Sequence, residues 1–143
     1  MSHHISAAVD IEAPPERVWD VLVDLSSYEA WNPFIVEASG EVAAGRRLRL
    51  RMRPPGGRST TFRPTVQAAG GGELRWFGRL GIGGLFDGEH RFRLSPTNDG
   101  GTRLVQEERF TGVLVPLLRR SLDAGTLAGF RAMNEALKRR AEA

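Results

Sequence analysis

At 143 residues, without a cysteine and with a net charge of +3, the chain cannot form disulfides, thiolate nucleophiles or cysteine metal sites. Its 41% hydrophobic and 26% charged content is that of an ordinary globular protein, and the length suits a single domain over 1–143. The chain contains no run of about 18 apolar residues of the kind that crosses a bilayer. The N-terminus "MSHHISAAVDI" has neither the basic start nor the apolar stretch of a signal peptide. Together with the absent cysteine this gives a cytoplasmic expectation. The basic residues are nineteen Arg and one Lys, Lys138; a coding bias toward Arg, Ala and Gly explains that excess without any function and is preferred to phosphate recognition.

In "HHISAAVDI" the residues Ile5, Ala7, Val9 and Ile11 alternate onto one side, which predicts a first strand. "APPERVWDVLVDL" follows, with Pro14 and Pro15 suited to a helix start and Val18, Trp19 and Leu22 forming one apolar face. "SSYEAW" reads as a second short helix with Ser26 or Ser27 as its N-cap. Pro33 disfavours helical geometry at Asn32, so this helix should end near Trp31.

From Phe34 the period changes to two. "RRLRLRMR" places Leu48, Leu50 and Met52 on one face and Arg47, Arg49, Arg51 and Arg53 on the other. "TTFRPTVQAA" and "GELRWFGRL" read as further strands, joined by the "GGG" turn at 70–72. "FDGEHRFRLSP" puts Phe86, Gly88, His90, Phe92 and Leu94 on one side, opposite Asp87, Glu89, Arg91 and Arg93. "NDGG" at 98–101 is a strong hairpin signal before "TRLVQEERF", whose Leu104, Gln106, Glu108 and Phe110 share a phase. Beyond Gly112 the spacing of Leu118, Leu122, Leu127, Phe130, Met133 and Leu137 is helical, with a basic end that suits the helix dipole. Gly125 and Gly129 within this helix suggest close approach or open space beneath it, since each costs about 1 kcal/mol relative to Ala.

The order is a strand, two short helices, about six antiparallel strands and a long helix. With "APPERVWDVLVDLSSYEAWNPFI", "GELRWFGRL", "GEHRF", "GTRLVQEERFTG" and "GFRAMNEALKRRA" in sequence, it resembles the START-like (SRPBCC) superfamily, in its polyketide cyclase/dehydrase and lipid-transport group. The resemblance covers nearly the whole chain. It implies an α+β helix-grip fold: a curved antiparallel sheet of about seven strands wrapped around the C-terminal helix, with an elongated cavity between them. It further implies a hydrophobic small-molecule ligand, such as a lipid, an isoprenoid or an aromatic polyketide-like compound. The alternative is a polyketide cyclase/aromatase-like enzyme using cavity His, Glu and Tyr groups for proton transfer.

On this reading Tyr28, Trp31 and Phe34 frame the cavity mouth, or else Trp31 and Phe34 pin the short helix as ordinary core. Trp76 is either a flat wall for a planar ligand or buried core. His90 and Glu108 point inward with Phe92, and Gln106 adds a neutral hydrogen-bonding group. The pair is a base, a group that orients the ligand, or a satisfied internal pair. Phe130 should be the central contact of the long helix on the sheet. A binding protein should retain open volume on the order of hundreds of Å³.

Several activities find no support. Glu107 and Glu108 are adjacent and face opposite sides of a strand, so they are no glycosidase pair. His3 and His4 diverge without a third ligand, so no metal is expected. The glycine loops lack the setting of phosphate or dinucleotide motifs, and no cofactor is expected. No aromatics interleave with the arginine row, so no nucleic-acid partner is expected; acidic neighbours and solvent should satisfy it. The chain is expected to be a monomer or a homodimer.

Overall fold

Eight antiparallel strands in two sheets curve around the C-terminal helix in this computed structural model, which describes residues 2–79 and 83–143. Strand β1 (Ser2–Ile11) leads into helix α1 (Pro15–Val23), a 3₁₀ turn (Leu25–Ser27) and the single-turn helix α2 (Tyr28–Trp31). Strands β2 (Ile35–Ser39), β3 (Arg49–Met52) and β4 (Thr60–Phe62) form one sheet. Strands β5 (Thr65–Gly70), β6 (Glu73–Arg79), β7 (Asp87–Pro96) and β8 (Thr102–Thr111) form the other with β1, in the order β1-β8-β7-β6-β5. Helix α3 (Val115–Ser121) runs through one wide π turn (Leu122–Thr126) into helix α4 (Leu127–Glu142).

The strand count exceeds the expected seven because "TTFRPTVQAA" is two strands. Proline cannot donate to a ladder, and at Pro64 the chain leaves the β3–β4 sheet and enters the larger one. Segment 45–48 joins the two: Gly45 N donates to Val66 O at 2.8 Å, and Leu48 N donates to Pro64 O at 2.9 Å. The arginine row behaves as its phase requires. Leu48 and Leu50 are buried while Arg47, Arg49, Arg51 and Arg53 are exposed, and Arg51 meets Glu37 across the strands at 3.4 Å.

Two local expectations need correction. Ser27 holds the N-cap position of α2 but makes no side-chain cap there; the Ser26 and Ser27 hydroxyls donate instead to the Asp24 carboxylate, at 3.0 and 2.6 Å. Asp87, placed opposite the apolar phase with Glu89, Arg91 and Arg93, is nevertheless buried, because the turn before β7 folds back and Gly84 N donates to its carboxylate. The end of α2 follows the sequence reading. Asn32 is extended (φ −87°, ψ 113°), and its Oδ1 accepts the N–H groups of Phe34 and Ile35, both at 2.9 Å. That turn aims the Phe34 ring inward.

The helix covers the concave face of the sheet. Phe130, Met133 and Leu137 are completely buried there, and burying such side chains stabilises by about 1.5–3 kcal/mol each. Gly129 is the point of closest approach: a Cβ on it would lie 2.3 Å from Phe34 Cδ1. The Phe34 ring packs edge-on against Phe130 with centroids 5.7 Å apart.

Candidate functional site

Turn chemistry sets the register that assembles the polar group. The Thr97–Gly101 turn pairs β7 with β8 so that His90 faces Glu108 and Phe92 faces Gln106. The next ladder sets Trp76 beside His90, and β1 places Ile5 beside Glu108. One row across four strands therefore reads Trp76, His90, Glu108, Ile5, all on the concave side. The His90 ring lies 4.9 Å from Trp76, 4.8 Å from Phe92 and 4.9 Å from Phe130, centroid to centroid.

Beside this row a cavity of about 160 Å³ separates the sheets from the π turn. Phe34, Leu50, Met52, Trp76 and Phe110 supply apolar wall, and Leu122 and Thr126 close it from the helix side. The π turn is what brings those two residues there. Its wider i→i+5 pattern, with Leu127 N donating to Leu122 O, adds a residue to the turn and rotates the helix face, a device often found at functional sites. Glu108 is the carboxylate on the cavity wall, and its side chain is 15% exposed. Gly78 and Gly88, paired across β6 and β7, also line the space. A Cβ on Gly88 would lie 2.3 Å from Glu108 Oε2, so the missing side chain is what leaves room for the carboxylate.

The expected site residues divide into three groups. Phe34, Trp76 and Glu108 line the cavity. His90, Phe92, Gln106 and Phe130 are fully buried immediately behind it. Tyr28 and Trp31 lie elsewhere. The Tyr28 hydroxyl donates to Leu22 O, and burial, with the Asp24 charge adding, pushes its phenol well above the usual tyrosine range. Trp31 packs on the Tyr28 ring at 5.2 Å and faces a surface groove beside Arg17 and Arg140. Sequence reasoning missed the rest of the lining, including Leu50, Met52, Arg58 and Phe110, the glycines Gly78 and Gly88, and the π-turn pair Leu122 and Thr126. Glycines in strand interiors were the available signal.

The cavity is also smaller than expected. Its volume is close to that of engineered protein cavities, roughly 150 Å³, that take up a benzene ring. It admits a small ring system, and a long lipid would need the walls to part.

On the outer face Glu107 follows the predicted divergence from Glu108. It accepts from Arg91 Nε at 2.7 Å and lies 3.5 Å from His4. Burial alone would raise its carboxyl, but the Arg91 hydrogen bond and the Arg91, Arg93 and His4 charges hold it below the ordinary range. His3 meets Asp123 instead, at 2.7 Å, so the two N-terminal histidines point apart. No helix among the described residues is long and apolar enough to cross a membrane.

The sequence matches the family described as polyketide cyclase/dehydrase and lipid transport over residues 2–142. The chain belongs to this family. No curated protein matches it by sequence. Among solved structures it is similar to the ZhuI aromatase/cyclase of Streptomyces sp. R1128, at 20% identity over 99% of this chain and 94% of that one (TM-score 0.80). A START superfamily protein of Mycobacterium smegmatis is similar at 25% identity over 98% and 97% (TM-score 0.72). The protein TTHA0849 of Thermus thermophilus is similar at 19% identity over 97% of each chain (TM-score 0.77). These similarities support the helix-grip fold.

Proposed function

We propose that this member of the polyketide cyclase/dehydrase and lipid transport family binds a small, mostly apolar ring compound in the cavity between the sheets and the long helix. One observation carries the reading. A mostly apolar cleft of about 160 Å³, with exposed Arg58 and Thr60 at its rim, stays open between the sheets and the π turn, where a structural core would be filled to near-crystal density. The glycine pair 78 and 88 keeps it open at a cost in strand stability. Aromatic walls with few polar groups are the usual composition of ligand sites.

A second reading, proton transfer on a reactive ketone as in a cyclase, rests on Glu108. His90 is sealed from the cavity by its neighbours, so Glu108 is the group of the pair that a ligand touches. Tyr28 takes no part, because its hydroxyl is committed to Leu22 O on another side of the molecule.

Native mass spectrometry with a panel of one- and two-ring apolar compounds tests the binding reading. A one-to-one adduct is expected with at least one of them, and Gly78→Val, which fills the space, should remove it. Adducts that survive Gly78→Val unchanged would overturn the assignment of the cavity. For the second reading, a poly-β-ketone analogue should be turned over by the wild type and left intact by Glu108→Gln.

A further inference from the structure

Behind the cavity wall a chain of side-chain amides ends on a backbone carbonyl, and this fixes where protons sit. Asn134 Nδ2 lies 3.1 Å from Ala7 O. A carbonyl accepts only, so the Asn134 nitrogen must face it, and Asn134 Oδ1 must turn the other way. That oxygen accepts from Gln106 Nε2 at 2.8 Å, and Phe130 O, at 3.4 Å, is a second carbonyl that requires a donor at the same nitrogen. Gln106 Oε1 therefore faces His90 Nε2 at 2.9 Å, and Nε2 must carry the hydrogen.

The consequence falls on the opposite side of the ring. In a neutral imidazole protonated at Nε2, Nδ1 bears a lone pair. Here Nδ1 is buried without an aligned hydrogen bond and lies 3.2 Å from Glu108 Oε1. Two lone pairs at that distance repel, so one proton belongs to the Nδ1–Glu108 pair. Oε2 leans over the Cα of Gly88, a residue of the cavity wall. Among the described residues no protein group donates a hydrogen bond to Oε2 of Glu108, while His90 Nδ1 lies beside Oε1.

We propose that His90 and Glu108 hold a single proton between them, with Gln106 and Asn134 as positioning residues, and that the free Glu108 oxygen accepts a hydrogen bond from a hydroxyl on the bound ring compound. This rests on the cavity-binding reading and names the ligand class, a phenol or ring alcohol. The one-proton pair has no net charge, so a neutral donor matches it better than a cation. The aromatic walls, Phe34 and Trp76, take the ring.

Two probes that differ by one hydroxyl test this, 2-naphthol and naphthalene, with affinities measured by fluorescence titration. A hydrogen bond to the free Glu108 oxygen should favour 2-naphthol about tenfold in the wild type. Glu108→Met should bring the ratio to about one. Glu108→Gln, which keeps an acceptor for the hydroxyl and a donor toward His90, should retain part of the preference. Equal binding of both probes by the wild type, or an intact preference in Glu108→Met, overturns hydroxyl recognition. Binding of neither probe overturns the cavity reading and the proposal with it. Long-range ¹H–¹⁵N NMR of the ligand-free protein reads the relay independently. Nε2 of His90 should be protonated in the wild type, and Asn134→Leu, which leaves Gln106 held only by the 3.4 Å contact to Phe130 O, should give a mixture of tautomers. A wild-type ring with bare Nε2 and protonated Nδ1 overturns the proton assignment.

Discussion

Replacing Gly129 by Ala sets two effects of known size against each other. In an isolated helix the change should stabilise by about 1 kcal/mol, because Gly is the weaker helix former. Here the new Cβ would sit 2.3 Å from Phe34 Cδ1 and 2.5 Å from Cε1, well inside contact distance. The Phe34 ring is 2% exposed and braced by Phe130, so its available retreat is into the cavity it lines. Overpacking of this kind costs about 1–3 kcal/mol. The net expectation is a loss of about 0–2 kcal/mol together with weaker ligand binding. Urea denaturation of Gly129→Ala, Phe34→Ala and the double variant separates the two terms. With the Phe34 ring gone, Gly129→Ala should stabilise by about 1 kcal/mol. Equal stabilisation in the presence of Phe34 would refute the close approach of helix and ring.

Phe130→Ala should cost about 3–5 kcal/mol, read as a lower urea midpoint, since the side chain is fully buried and no neighbour can fill its place. Exchanging Arg49 and Arg51 for Gln should change stability by less than about 1 kcal/mol, because both are exposed and the Arg51–Glu37 contact is a surface pair. The Glu107 carboxyl is lowered in the folded state, so its contribution is complete above its ordinary value near 4.5 and is lost as pH falls through the lower, folded-state value. Arg91→Leu should therefore destabilise by about 1–3 kcal/mol at pH 7 and by less at pH 3; an equal loss at both would contradict the pairing. Gly78→Val should weaken naphthalene binding at least about tenfold, a change of roughly 1.4 kcal/mol in binding free energy, while leaving the thermal midpoint close to that of the wild type.

The fold was legible in the sequence because period, turns and order agreed with one another. The "GGG" and "NDGG" turns appear where expected, and the two-residue alternation placed His90, Phe92, Gln106 and Glu108 on the inner face. The same turns imply the pairing of His90 with Glu108, since a hairpin fixes its register. Pro64 in the middle of an alternating run was the mark of a strand break. The five-residue step from Leu122 to Leu127, in a pattern otherwise near three to four, was the mark of the π turn. Tyr28 and Trp31 were misplaced for a physical reason. They follow a 3₁₀ turn, which rotates the chain differently from an α-helix, so the phase of α1 could not be carried through to them. Emptiness was the least legible feature. It arises where the paired glycines of β6 and β7 meet side chains from β3, β8 and the π turn, and no one of these segments announces the others.

The chain has three tryptophans, and their positions make binding of a ring in the cavity directly measurable. Trp76 lines the cavity, whereas Trp19 and Trp31 border surface grooves. In a ¹H–¹⁵N spectrum each indole N–H gives one signal, so a titration with 2-naphthol reports which environment receives the ring. A ring bound in the cavity gives a saturable shift of the Trp76 indole with the signals of Trp19 and Trp31 unmoved. Saturable movement of Trp19 or Trp31 with Trp76 unchanged, or no movement of any of the three, would contradict binding there.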